Sequence, residues 1–276
     1  NIVGDFNIIF KGNIPGGAGM SSSAALENSV VFGLNALFEL GLSKKEMILI
    51  SQKAEHNYVG VNCGIMDQYA SMFGQKDAAI LLDCESLEAK TVTLNLKDYS
   101  LLLINTNVKH SLAESAYNER RKVCKNAALK LGISSLREVS LNNLQSIKES
   151  LSESEYQKTS YVIHENSRVL EALEAVKQND ISKLGELLFA SHNGLQNQYK
   201  VSCQELDFLV EFAKNSNAVI GARMMGGGFG GCTINIIKRN QIEEFKKAIA
   251  NQYKQRFNNN CSFYEVNLSN GTSLLE

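Results

Sequence analysis

The segment Pro15-Gly-Gly-Ala-Gly-Met-Ser-Ser-Ser-Ala-Ala25 constrains this chain more than any other. It holds the only proline, and it lies between an apolar run read as a strand, Asn7–Ile14, and a helix expected over Ser22–Leu40. Leu26, Val30, Leu34, Leu37 and Phe38 recur at helical spacing. Gly16, Gly17 and Gly19 allow backbone conformations closed to other residues. Ser21, Ser22 and Ser23 bring hydroxyls to the place where a helix start presents free N–H groups, which makes an anion site suited to phosphate. The same string also fits a glycine-rich turn closed by a serine cap. From the glycines alone the two readings stand level. Neither a Gly-Lys-Ser/Thr ending nor a G-x-G-x-x-G fingerprint is present.

Gly41 is expected to end the first helix. Ser43-Lys-Lys-Glu46 is a capping box that opens a helix running to about Tyr58. A loop over Gly60–Gly64 leads to a short helix, Ile65–Phe73. Strand-like runs follow at Ala79–Cys84, Lys90–Leu96 and Ser100–Thr106. Helical periodicity then covers Leu112–Leu131, Glu153–Lys177, Ile181–Tyr199 and Cys203–Asn215. The finish reads strand, strand, helix, strand: Ala218–Met224, Cys232–Ile237, Gln241–Phe257 and Ser262–Leu268. This order points to an α+β sandwich rather than a doubly wound sheet.

The chain has 276 residues, 28 Lys and Arg against 29 Asp and Glu, and a net charge of -1, which excludes a whole-chain basic footprint for nucleic acid. No apolar run approaches the roughly 18 residues of a membrane span. No basic-then-apolar leader opens the chain. The six cysteines are scattered without a C-x-x-C pair, so reduced thiols in a cytoplasmic protein are expected rather than a zinc site. His56, His110, His164 and His192 sit in no metal-ligand pattern, and no G-x-S-x-G hydrolase signature occurs.

Pro15-x-x-x-Gly19-Met20-Ser21-Ser22-Ser23-Ala24 resembles the nucleotide-binding motif of the GHMP kinases, the superfamily of galactokinase, homoserine kinase and mevalonate kinase. Cys63-Gly-Ile-Met-Asp-Gln68 resembles a second motif of that superfamily. Gly226-Gly-Gly-Phe-Gly-Gly-Cys232 resembles its third, glycine-rich one. Ala54-Glu-His56, Asn107–Leu112 with Tyr117–Arg121, and Ser202–Asp207 narrow the resemblance to the galactokinases, from Asn7 through Leu268. The resemblance implies an α+β, two-domain GHMP kinase fold. Residues 1–98 would be the remainder of a ribosomal-protein-S5-like N-terminal domain, and 99–276 a C-terminal α+β domain. Galactokinases open with a Gly-Arg-x-Asn…Glu-His-x-Asp-Tyr signature that supplies a catalytic arginine and sugar contacts. These 276 residues contain no such string, so the chain reads as part of a longer one and is expected to be inactive by itself.

The resemblance assigns Gly17, Ala18, Gly19, Met20, Ser21, Ser22 and Ser23 to nucleotide binding, and Ser23 with Glu55 to Mg²⁺, a cation that takes oxygen ligands. It makes Asp67 the base at the sugar hydroxyl, and Gly64, Asp67 and Tyr117 sugar contacts. Gly226, Gly227, Gly228, Gly230 and Gly231 become site-supporting residues. Read without the resemblance, Ser23 is also a helix cap, Glu55 a solvated helix face, Asp67 a loop or cap acid and Tyr117 a core aromatic. The basic run Arg120, Arg121, Lys122 and Lys125 reads as a solvated helix face. The implied activity is ATP-dependent phosphorylation of galactose at its anomeric hydroxyl, giving galactose 1-phosphate and ADP. Kinases of N-acetylgalactosamine or arabinose, and a non-catalytic sugar sensor, are the alternatives. The implied partners are the sugar and ATP, with no nucleic acid and no membrane; the setting is cytoplasmic, and the oligomeric state stays open with a monomer favoured.

Overall fold

The computed structural model describes residues 4–16, 19–60, 63–109 and 113–275, with backbone alone at 109 and 113–117. Contacts divide the chain into two compact units, Asn1–Asn95 with Asn267–Glu276, and Leu96–Val266.

In the first unit, α1 (Ser22–Leu37), α2 (Lys44–Ala54) and α3 (Met66–Phe73) pack on one another. The Ser43 box forms as its spacing requires: the Ser43 N–H donates to the Glu46 carboxylate at 2.8 Å, and Glu46 N–H returns to the Ser43 hydroxyl at 3.3 Å. Met47, Ile48, Ile65, Tyr69 and Met72 make the buried centre of this unit. Strands β1 (Ala78–Leu82) and β2 (Ala89–Thr93) form an antiparallel pair. The C-terminal tail returns to this unit. Gly271 N–H bonds Gly74 O at 2.8 Å, and Thr272 N–H bonds Ser71 O at 2.9 Å.

The expected strand Asn7–Ile14 does not form. Its residues are exposed and carry no ladder, because no other described segment pairs with them. Apolar alternation provides a face, but a strand exists only through its partner's hydrogen bonds. The helix expected to run to Tyr58 also departs from its reading. It ends at Ala54 and widens into a five-residue π-turn, Glu55–Val59, closed by Gly60 N–H to Glu55 O at 2.9 Å.

The second unit is built on a four-stranded antiparallel sheet in the order β4 (Val219–Met224), β5 (Gly230–Lys238), β3 (Tyr99–Lys109), β6 (Ser262–Val266). Helices α4 (Ala113–Lys130), α5 (Glu153–Lys177), α6 (Ile181–Gly194), α7 (Gln204–Lys214) and α8 (Ile242–Phe257) complete it. Leu102, Ile104, Leu209, Ile237, Ile249 and Tyr253 are buried between sheet and helices. Each such side chain stabilises the fold by about 1.5–3 kcal/mol. A second cluster around Ala127, Leu136, Ile147 and Ile163 joins α4 and α5 to short 3₁₀ turns between Leu136 and Ser150.

Helix α6 lies so close to β4 that Gly185 and Gly221 meet backbone to backbone. A Cβ added at Gly185 would stand 2.0 Å from the Ile220 carbonyl oxygen. Alanine normally favours a helix over glycine by about 1 kcal/mol. Gly185→Ala is nevertheless expected to lower stability by about 1–3 kcal/mol, because a packed backbone must move. Urea unfolding of the variant checks this; an unchanged or raised midpoint contradicts the close approach.

Candidate functional site

Gly17 and Ala18 lie outside the described residues. Beyond them Gly19 (φ 70°) and Ser21 (φ 54°) adopt left-handed backbone conformations. A serine rarely does so without a local reason. Ser21 occupies the cap position of α1, yet its side chain makes no capping hydrogen bond. The first N–H groups of the helix therefore lack a side-chain cap, a local arrangement that suits an anion. Met20 and Ser22 are half-buried and Ser23 is exposed.

Four residues along α1 from Ser23, and so on the same helix face, stands Glu27. The Glu55 carboxylate is close enough for its charge to bear on Glu27, and Gln68 lies beside the same carboxyl group. Glu55 is buried at the start of the π-turn. Burial, and then the Glu55 charge, push Glu27 up to about 7. Glu27 Oε2 is closed to solvent and accepts no hydrogen bond among the described residues. Two crowded carboxyl groups with an unanswered oxygen, next to a serine hydroxyl on the same face, fit a hard cation such as Mg²⁺. No cluster of three or more His, Cys, Asp or Glu side chains among the described residues could hold a metal. A cation here would rest on the hydroxyl, one or two carboxylates, water and a nucleotide's own phosphates.

Asp67 is exposed in the first turn of α3, where a negative charge is favoured by the helix dipole. The loop before it is clamped. Cys63 O receives Gln52 Nε2 at 3.2 Å and His56 Nε2 at 3.0 Å, so His56 carries its proton on Nε2. Burial, then Glu55 and to a lesser degree Asp67 and Glu27, hold the Cys63 thiol above its usual range. The thiol therefore feels all three acids. A Cβ at Gly64 would meet nothing within 4 Å, which leaves that backbone open to approach.

Tyr117 lies on α4, and its side chain is outside the described residues. The glycine turn joins β4 to β5, with Gly226, Gly228, Gly230 and Gly231 all at positive φ. At Gly228 a Cβ would fall 1.9 Å from Val201 O, so only glycine fits. The structure corrects the reading of Arg120 as part of a solvated face. It is buried, and donates from Nε to Tyr199 O at 2.6 Å and from Nη2 to Lys200 O at 3.1 Å. Carbonyls left open at the end of a second π-turn, Leu195–Tyr199, draw the guanidinium inward.

The motif strings contain His56 and Gln68 without a role for either, and they contain neither Glu27 nor Gln52. One usable signal existed: Glu27 follows Ser23 at helical spacing. Gln52 gave none, since it acts on the backbone of a loop.

Comparison with known proteins places this geometry in a class. Residues 2–75 match the GHMP kinases N terminal domain and residues 169–255 the GHMP kinases C terminal domain. A galactokinase of Thermosipho africanus is 44% identical over 264 residues, covering 96% of this chain and 74% of that protein. One from Clostridium acetobutylicum is 41% identical over 276 residues, 98% of this chain and 71% of its own. The crystal structure of Lactococcus lactis galactokinase complexed with galactose superposes with a TM-score of 0.92 at 37% identity, over 96% of this chain and 69% of that one. L. major mevalonate kinase, at 20% identity and a TM-score of 0.61, shares the fold. The chain belongs to the galactokinase family of the GHMP kinases.

The raised Glu27 has a measurable sign. Its folded value, about 7, lies above the ordinary 4.5, so the folded chain holds this proton more tightly than the unfolded one. That stabilisation is complete below the ordinary value and is lost as pH rises through about 7. Glu27→Gln stays neutral throughout. With chelator present, the variant is expected to gain stability relative to the parent between about pH 5 and about pH 8. Parallel unfolding-versus-pH curves for the two would contradict the carboxylate pairing.

Proposed function

We propose that the protein transfers the γ-phosphoryl group of ATP to the anomeric hydroxyl of galactose, yielding galactose 1-phosphate and ADP. The observation that carries this reading is the presence, within one unit, of an uncapped α1 start, a Glu27 raised to about 7 by burial and by the Glu55 charge, and an exposed Asp67 in the first turn of α3. Membership of the galactokinase family supplies the sugar. Phosphoryl transfer asks little covalent chemistry of a protein and depends on positioning and charge stabilisation. Gly17–Ser23 cradle the phosphates. Ser23 and Glu55 would hold Mg²⁺, which would supply positive charge to offset that of the phosphates. Asp67 takes the proton of the sugar hydroxyl as its oxygen bonds to the γ-phosphorus, and the bond to the bridging β–γ oxygen breaks to release ADP. Gly64 and Tyr117 contact the sugar, and Gly226–Gly231 support the nucleotide site.

Intact Ser21-Ser22-Ser23-Ala24 and the presence of Asp67 favour an enzyme over a sugar sensor. No described helix is long and apolar enough to cross a membrane. The scattered, free cysteines suit a reducing, cytoplasmic setting. We take the working state as a monomer acting on sugar and ATP without nucleic acid.

ADP release by the intact protein with a sugar panel tests the substrate. Galactose is expected to be turned over well above N-acetylgalactosamine and arabinose; background rates with galactose and turnover of another sugar refute it, and binding without turnover of any sugar favours the sensor.

Asp67→Asn is expected to lower turnover by about 10²–10⁴-fold while ATP affinity stays near the parent's. A variant with near-normal turnover removes Asp67 from the mechanism. Ser23→Ala and Glu55→Gln should each raise the Mg²⁺ concentration for half-maximal rate, read by titrating the metal at fixed ATP. A parent-like titration in either strikes that residue from the metal site.

A further inference from the structure

Three side chains without a part in the chemistry above form a polar line to the glycine turn. The Ser202 hydroxyl donates to Asp207 Oδ1 at 2.5 Å. The same oxygen faces His192 Nε2 at 3.3 Å, a charge contact too poorly aligned to be a good hydrogen bond. On the far side of the ring, His192 Nδ1 accepts the Met224 N–H at 3.2 Å. A backbone N–H can only donate, so Nδ1 is bare and the ring proton sits on Nε2, toward Asp207. His192 and Met224 are buried, and water does not reach this bond.

Met224 is the last residue of β4, an edge strand, so its outward peptide groups have no neighbouring strand among the described residues. Both are taken by side chains. Its N–H goes to His192, and its carbonyl accepts Arg223 Nε at 3.0 Å. Arg223 in turn reaches Glu165 at 3.4 Å, and Glu165 is held by Arg168 at 3.0 Å and by the Ser191 hydroxyl. The turn begins directly after Met224. Its other side meets the chain at Val201, where Phe229 N–H donates to Val201 O at 2.8 Å and Gly228 leaves no room for a side chain. Val201 adjoins Ser202, the first member of the line. One polar chain therefore grips the glycine turn at both sides.

We propose that His192 is a positioning residue for phosphoryl transfer: with Asp207 and Ser202 it fixes the turn 226–231 in the shape the nucleotide site needs. The inference rests on the reading of that turn as part of the nucleotide site. Without the imidazole, the Met224 N–H is buried and unpaired, and the strand end shifts to satisfy it. A displacement of about 1 Å in a positioning element lowers phosphoryl transfer by about 10²-fold.

The test is steady-state kinetics and direct ATP titration on the intact protein, with thermal unfolding measured alongside. In folded His192→Leu, kcat/KM for ATP is expected to fall about 10–100-fold while the galactose dissociation constant changes less than about twofold. His192→Asn places Oδ1 where Nδ1 was and should recover most of the loss. Ser202→Ala and Asp207→Asn, which keep the ring, should show smaller losses in the same direction and serve if the leucine variant does not fold. A purely structural role predicts a lower unfolding temperature with parent kinetics in the folded fraction, and no selective rescue by asparagine; that result overturns the inference. Failure of the parent itself to bind or consume ATP overturns the underlying nucleotide reading instead, and the inference with it.

Discussion

A buried amide ties the helix after the glycine–serine loop to the helix that carries Asp67. Asn28 Nδ2 donates to Gln68 O at 2.8 Å, and both residues are closed to solvent. Buried polar groups are costly to leave unpaired, by about 1–3 kcal/mol each. A slide of α1 along α3 would break this bond with no water to replace it, so their register is single-valued. Glu27 directly precedes Asn28, and Asp67 directly precedes Gln68. Once that bond is set, Glu27, Gln68 and Glu55 are brought together, and the start of α1 is held relative to Asp67. The apolar contacts of Met47, Ile48, Tyr69 and Met72 provide cohesion, but they are non-directional and would tolerate other registers.

The same cluster is where the unit gives up stability. Glu55 is buried beside Glu27, and the pair relieves its repulsion by keeping a proton on Glu27. An apolar pair of similar volume would pack there at lower cost. Sites that shift titration in this way gather where chemistry is done.

Much of the fold was legible because its signals are local. The capping box at Ser43 marks a helix start whatever lies elsewhere, and the helix expected over Glu153–Lys177 forms with those bounds. The strand–strand–helix–strand finish likewise appears as β4, β5, α8 and β6. What the sequence hid depends on partners far along the chain. The run Asn7–Ile14 has strand composition and no described partner. Arg120 looks like a surface cation until carbonyls some 80 residues away claim it. The tail at Gly271 and Thr272 finds α3 through backbone bonds, which leave no pattern in side chains. Of the candidate site, Ser23, Glu55 and Asp67 are proposed from motif strings, whereas Glu27 and His192 lie outside those strings and carry no motif of their own.

Both units reach their loops by the same device. Helix α2 ends in the π-turn Glu55–Val59 and then Gly60 at φ 80°; α6 ends in the π-turn Leu195–Tyr199 and then Lys200 at φ 56°. Such turns insert a residue and recur at functional sites. Each closes on a left-handed residue that turns the chain out of the helix. In the first unit Gln52 and His56 reach forward to Cys63 O; in the second Arg120 reaches across from α4 to Tyr199 O and Lys200 O. The left-handed state at Lys200 costs about 1–2 kcal/mol for a residue with a Cβ. Two charge-assisted bonds from one guanidinium are enough to offset that cost. The segments that follow, Cys63–Asp67 and Val201–Ser202, are irregular in backbone yet fixed at defined atoms. A reaction that depends on placing a hydroxyl against a phosphorus needs that combination: loops free to adopt non-repeating shapes, and side chains from rigid helices that allow each loop only one.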